Sequence, residues 1–195
     1  MALVVYALLP NSLVFLGRFV IPGIEVCLLV ALIVANPRRI TRQTGWSRAV
    51  SIALAVFVIV SNLLSLGLLI AELSNKAPSG ENLLLGAMQI WVTNVIGFAL
   101  LYWELDRGGP AARAQGERDV PDFLFVQMQS PELAPPHWEP AYLDYFYLSF
   151  TNSTAFSPTD VMPVTRWAKM LMLLQSAVSL MTVVLVVARA VNILK

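Results

Sequence analysis

The sequence predicts an all-α membrane protein of four or five transmembrane helices, with a short re-entrant or interfacial helix between the last two. Charged residues make up 13% of the chain and hydrophobic residues 57%, whereas a soluble domain carries about 25% charge. The mean hydropathy is +0.70. The charges are clustered, and the apolar runs between them are too long for a soluble core in a chain of 195 residues.

A hydrocarbon layer about 30 Å thick takes about 20 apolar residues to cross as a helix. Four segments meet that length. The first covers residues 19–35 and is closed by Asn36-Pro37 and the basic cluster Arg38, Arg39, Arg42 and Arg48. The second covers 49–73 and ends in the turn-rich run Ser74-Asn75-Lys76-Ala77-Pro78-Ser79-Gly80. The third covers 83–103, with Tyr102-Trp103 as an interfacial aromatic anchor before charge. The fourth covers 167–191, between Trp167 with Lys169 and Arg189. Residues 1–16 are also apolar, but Pro10-Asn11-Ser12 interrupts them and Arg18 follows. They lack the leading positive charge and small-residue cleavage site of a signal peptide, so they read as a partial fifth span or an interfacial helix.

Polar residues inside the spans fall on single faces. Ser51, Ala55, Val58, Asn62, Ser65 and Glu72 do so in the second span, Gly86, Thr93, Gly97 and Glu104 in the third, and Gln175, Ser179, Thr182 and Arg189 in the fourth. Gln89 and Asn94 flank the third stripe. Such stripes let helices approach closely and hydrogen-bond across the interface. Two readings stay open: helix packing, or a hydrated path. Glu25 lies two turns after Arg18, and an intramembrane carboxylate is a candidate for function or for a structural ion pair.

Between the third and fourth spans the chain is rich in charge and in proline, including Pro110, Pro121, Pro131, Pro135, Pro136 and Pro140. That density predicts an extended, solvent-facing excursion. Residues 141–150 then read Ala-Tyr-Leu-Asp-Tyr-Phe-Tyr-Leu-Ser-Phe, too short to span and too apolar for water. A helix packed against the bundle solves this, because irregular backbone at membrane depth survives only where protein or a water-filled cavity shields it.

Next come Thr151-Asn152-Ser153-Thr154-Ala155-Phe156-Ser157-Pro158-Thr159-Asp160, then Pro163-Val164-Thr165-Arg166 and the last span. This order resembles the pore module of two-helix potassium channels, in which a pore helix leads into a threonine-rich filter, an aspartate, a proline and an inner helix. It is also similar to a bacterial family of uncharacterised membrane proteins sharing an Asp-Tyr-x-Tyr-x-x-Phe-Thr and Ser/Thr-Asp pattern. The resemblance covers residues 94–194. It divides the chain into N-terminal membrane helices, 1–81, and a pore-module-like part, 82–195. It implies a multi-pass protein of the bacterial inner membrane, and a homo-oligomer in lipid, tetrameric if channel-like.

The filter departs from that pattern. Potassium filters stack backbone carbonyls around a dehydrated ion, and their glycines reach conformations that a Cβ resists. After Thr154 this chain supplies Ala155, Phe156, Ser157 and Pro158, with no glycine before Asp160. What remains is a low-selectivity ring of side-chain oxygens from Thr151, Ser153, Thr154, Ser157, Thr159 and Asp160, or a non-conducting structural or regulatory subunit on a degenerate channel scaffold. With four spans, nine of the 13 basic residues share a side with the long loop, which the positive-inside rule places in the cytoplasm.

Other classes find little support. Net charge is +1, with no basic-aromatic interleaving for nucleic acid. One cysteine, Cys27, and one histidine, His137, supply neither a disulfide nor a zinc site. No cofactor motif is present, and Glu104 with Asp106, or His137 with Asp144, reads as solvated charge rather than acid-base machinery.

Overall fold

Breakers and turn sequences decide where the helices stop. The computed structural model describes residues 45–75, 80–116, 120–136, 138–157 and 160–193. The expected first span at 19–35, residues 1–16, Arg18, Glu25, Cys27, His137, Pro158 and Thr159 lie outside the described residues, as do the side chains of Glu72 and Arg189. Helix α1, Gly45–Asn75, contains no proline and is followed by the sequence bearing Pro78; α2, Gly80–Leu105, runs into a 3-10 turn at Asp106–Gly108. A short helix α3, Pro110–Ala114, strand β1, Phe123–Phe125, helix α4, Val126–Gln129, and a second 3-10 turn, Pro131–Leu133, follow. Helix α5, Tyr142–Ala155, strand β2, Val161–Pro163, and helix α6, Arg166–Ile193, complete the order.

The described chain is mostly helical, with α1, α2 and α6 long and apolar enough to cross a membrane. Helix α2 is central: α1 packs along it on one side, α5 and α6 on the other. The small-and-polar stripes face inward, with Ser51, Ala55, Asn62, Thr93, Gln175, Ser179 and Thr182 all buried. At Gly97 α1 approaches α2 closely, since a Cβ there would sit 3.1 Å from Val58 Cγ1 and 3.5 Å from Ile59 Cγ1. Gly97→Leu is expected to push α1 off α2 at a cost of about 1–3 kcal/mol, the range for overpacked cores. Thermal unfolding in detergent checks this, and an unchanged midpoint would show that the approach has room.

The excursion between α2 and α5 departs from expectation. It is docked, not extended in solvent: Asp106, Arg113, Asp122, Phe123 and Phe125 are buried, as is Glu104 just before it. Two things draw it in. Phe123 inserts among Tyr102 (ring centroids 4.9 Å), Trp167 (5.7 Å) and Tyr145 (6.4 Å), while Phe125 packs on Tyr145 (5.3 Å) and Trp138 (5.9 Å). Such ring pairs add about 0.5–1.5 kcal/mol each beyond area burial. The second cause is pairing, because β1 runs antiparallel to β2 with Phe123 opposite Pro163 and Phe125 opposite Val161. Tyr102 and Trp103, expected as an aromatic anchor, are buried against the rest of the chain near the end of α2.

The turn after α2 demands glycine. Gly109 has φ of +102°, and a Cβ there would meet Glu104 O at 3.1 Å and Arg48 Nε at 3.2 Å. The carbonyls at the end of α2 are then capped by Arg113, whose Nη1 donates to Trp103 O and to Asp106 O, both at 2.8 Å.

Candidate functional site

The short helix is longer than its aromatic run. It begins after Pro140, where the Asp144 carboxylate accepts the Ala141 N–H at 2.7 Å, half of a capping box. It continues past Phe150 to Ala155, so residues 151–155 are helical rather than an extended filter strand. The hydroxyls fit within that helix: Thr151 Oγ1 donates to Tyr147 O and Leu148 O at 3.0 Å, and Thr154 Oγ1 to Phe150 O at 2.9 Å. At Phe156 the backbone turns left-handed, φ 55°, and the helix ends.

Contacts along α5 give its depth. Tyr142 packs on Trp103 near the end of α2, with ring centroids 5.9 Å apart. Two turns on, Ser149 Oγ donates to Val95 O at 2.7 Å and Phe150 packs on Trp91 at 5.5 Å. Trp91 lies twelve residues before Trp103, about 18 Å along a helix axis. The apolar stretch of α2 runs Leu83–Gly108, which puts Val95 at its middle. The same depth follows on α6, whose apolar stretch is Arg166–Ala188 and which meets Asn152 through Met172, Gln175 and Ser176. Helix α5 therefore enters beside the end of α2 and stops mid-bundle. By Val161 the chain is back beside Phe125 and the docked loop. The six residue steps from Ala155 to Val161 can span at most about 20 Å, enough to return from the middle of a layer about 30 Å thick.

A buried amide holds α5 at this depth. Gln175 is fully enclosed, and its Oε1 accepts from Tyr102 Oη at 2.7 Å and Asn152 Nδ2 at 2.8 Å. Its Nε2 donates to Ser153 Oγ at 2.8 Å and to Ser149, through both Oγ and the backbone carbonyl. The backbone carbonyl of Ser149 can only accept, which puts Nε2 on its side, and Asn152 Nδ2, fixed by its bond to Met172 O, then meets Oε1. One turn deeper, Asn94 Nδ2 donates to Ser179 Oγ at 2.9 Å and to Gln175 O at 3.2 Å. Three helices thus meet on one amide.

The sequence-predicted residues divide accordingly. Ser153, Asn94, Gln175 and Ser179 are brought together in this network. Asn62 lies apart, against Thr93 on the α1–α2 side: Thr93 Oγ1 is 2.6 Å from Asn62 Oδ1 and 2.7 Å from Gln89 O. One hydroxyl proton cannot serve both, and an Asn62 amide turned over would donate to Thr93 while Thr93 donates to Gln89 O. Among the described residues Thr182 bonds within its own helix, to Val178 O at 2.8 Å. Thr151 and Thr154 spend their protons on α5 itself. Thr154, Phe156, Ser157 and Asp160 are exposed on the single chain. Ser149 and Asn152 are absent from the residues expected from the sequence, and Tyr102 is expected there only as an aromatic anchor, although 149, 152 and 153 carry the same small-polar stripe that marks the spans.

A second polar cluster closes the loop end. The Asp106 carboxylate, fully buried, accepts the N–H of Asp122 at 2.8 Å and the Tyr145 hydroxyl, and lies 3.7 Å from Arg107 Nε. Asp122 accepts Trp167 Nε1 at 3.0 Å and Arg107 N at 2.9 Å. Arg113 stacks over Tyr145, 5.2 Å from the ring centroid. Burial lowers the Arg113 pKa, opposed by Tyr145 and Asp106. Burial, with the Asp106 charge acting the same way, raises that of Tyr145, so the phenol keeps its proton and donates. Among the described residues, no three His, Cys, Asp or Glu side chains converge as metal ligands.

Comparison with protein-family models, curated proteins and solved structures gives no match. Function has to be read from these two clusters and the segment between them.

Proposed function

We propose that this chain is a channel-like subunit of a multi-pass membrane homo-oligomer, passing small cations with low selectivity along the return segment 156–160. One observation carries the reading. Non-helical backbone leaves the end of α5 at mid-bundle depth, and Phe156 and Ser157 there are exposed on the single chain. Lipid cannot satisfy such backbone, which is tolerated only against protein or a water-filled cavity. Further copies of the chain around a wet axis provide both.

The electrostatics favour a cation. The C-terminus of α5 carries roughly −0.5 of an elementary charge and points into the layer, and Asp160 adds a carboxylate on the way out. With no glycine in the segment, its oxygens come from serine, threonine and aspartate side chains rather than from a carbonyl stack, which fits low selectivity.

Proteoliposomes are expected to pass K+ or Na+ above the level of empty vesicles. Asp160→Asn should lower that flux about fivefold, the factor given by about 1 kcal/mol for one water-exposed charge at close range. No flux of any common cation from a monodisperse oligomer would remove the reading. The second reading, a non-conducting structural or regulatory subunit, is favoured by the threonine hydroxyls of α5 being bonded to their own helix. It predicts a co-purifying partner and indifference to Asp160→Asn.

A further inference from the structure

The excursion into the bundle has an entry, at Tyr145 on α5, and an exit, at β2. Two carboxylates hold both. Asp106 accepts the Tyr145 hydroxyl with one oxygen; with the other it accepts the backbone N–H groups of Asp122, at 2.8 Å, and Phe123, at 3.3 Å, which begin β1. Asp122 takes the Trp167 indole N–H at the start of α6, and its backbone carbonyl accepts Val164 N at 2.8 Å, just after β2. Phe123, packed between the Tyr145 and Trp167 rings, keeps both donors turned toward their acceptors. In the β1–β2 register Phe125 lies opposite Val161, the residue that follows Asp160. This pairing ties β1 to the chain within one residue of Asp160.

We propose that Asp106 and Asp122 are positioning residues for the two described ends of the return segment, Phe156–Ser157 and Asp160. They hold helix entry and strand exit at a fixed separation, and so make the docked loop part of whatever the segment does. The claim about the segment's path stands by itself, while its consequence for ion passage rests on the reading above.

Tyr145→Phe and Trp167→Phe each delete one donor and keep the ring. In a Cys27→Ser, Ser157→Cys background, the reconstituted full chain is labelled with a membrane-impermeant maleimide, with Tyr147→Phe, an exposed ring outside the clamp, as control. Each clamp variant is expected to change the labelling rate at least threefold without changing oligomer size, and the control to leave it unaltered. Identical labelling in the parent and all three variants, including no labelling at all, overturns the proposal whether or not the chain conducts. If a clamp variant does not fold, Asp122→Asn, which keeps one acceptor oxygen, is measured in its place against the same criterion. In conducting vesicles the clamp variants are expected to shift the K+/Na+ flux ratio at least twofold, whereas loss of folded protein lowers both fluxes together. An unshifted ratio beside altered labelling overturns the consequence for passage, and a parent without flux removes the channel reading while labelling still decides the path.

Discussion

Gln175→Leu is expected to lower the thermal midpoint of the detergent-solubilised protein by roughly 5–15 °C, taking about 2–4 °C per kcal/mol for a chain of this size. Leucine is close in volume, so the loss is one of hydrogen bonds. Asn152 keeps Met172 O as an acceptor and Ser149 keeps Val95 O, but the Tyr102 hydroxyl loses its acceptor and Ser153 its donor. An orphaned buried group costs about 1–3 kcal/mol. Membrane-embedded hydrogen bonds average nearer 0.6 kcal/mol, which sets the lower part of an expected total of about 2–4 kcal/mol. A midpoint within a degree of the parent's would mean that α5 is held by aromatic packing alone.

Asp106→Ala is expected to do more damage, about 3–5 kcal/mol, the range for breaking a buried charge arrangement by removing one partner. It strands the Tyr145 hydroxyl and the N–H groups of Asp122 and Phe123, and removes the carboxylate beside Arg107. Release of the docked loop should appear as protease cleavage within residues 106–140 under conditions that leave the parent intact. Asp106→Asn keeps one acceptor oxygen and should fall between the two. Equal protease resistance in all three proteins would show that the loop is held by Phe123 and Phe125 without the carboxylate.

The spans were legible because apolar runs and breakers are local signals. The run 49–73 became Gly45–Asn75, 83–103 became Gly80–Leu105, and 167–191 became Arg166–Ile193. Each end moved outward, since a helix continues into polar residues until a turn stops it. Residues 151–155 were harder to read. Threonine, asparagine and serine in a row look like irregular backbone, and it is the contacts of Asn152 and Ser153 with α6, at Met172 and Gln175, that favour the helix over their weak local propensity. The docked loop was least legible. Asp106 and Asp122 look like solvated charge until β1 meets β2, a pairing across some forty residues that no local pattern announces.

The proposed function depends on α5 dipping to mid-bilayer and on the chain returning against other copies of itself. A structure of the protein in a lipid nanodisc, with the bilayer boundaries visible, decides both. Ser149 is expected level with Val95 at the midplane and Phe150 beside Trp91, with the chain after Ala155 facing an axis shared by identical chains. Tyr142–Ala155 lying flat at the bilayer surface, with no second copy beside the return segment, would contradict it.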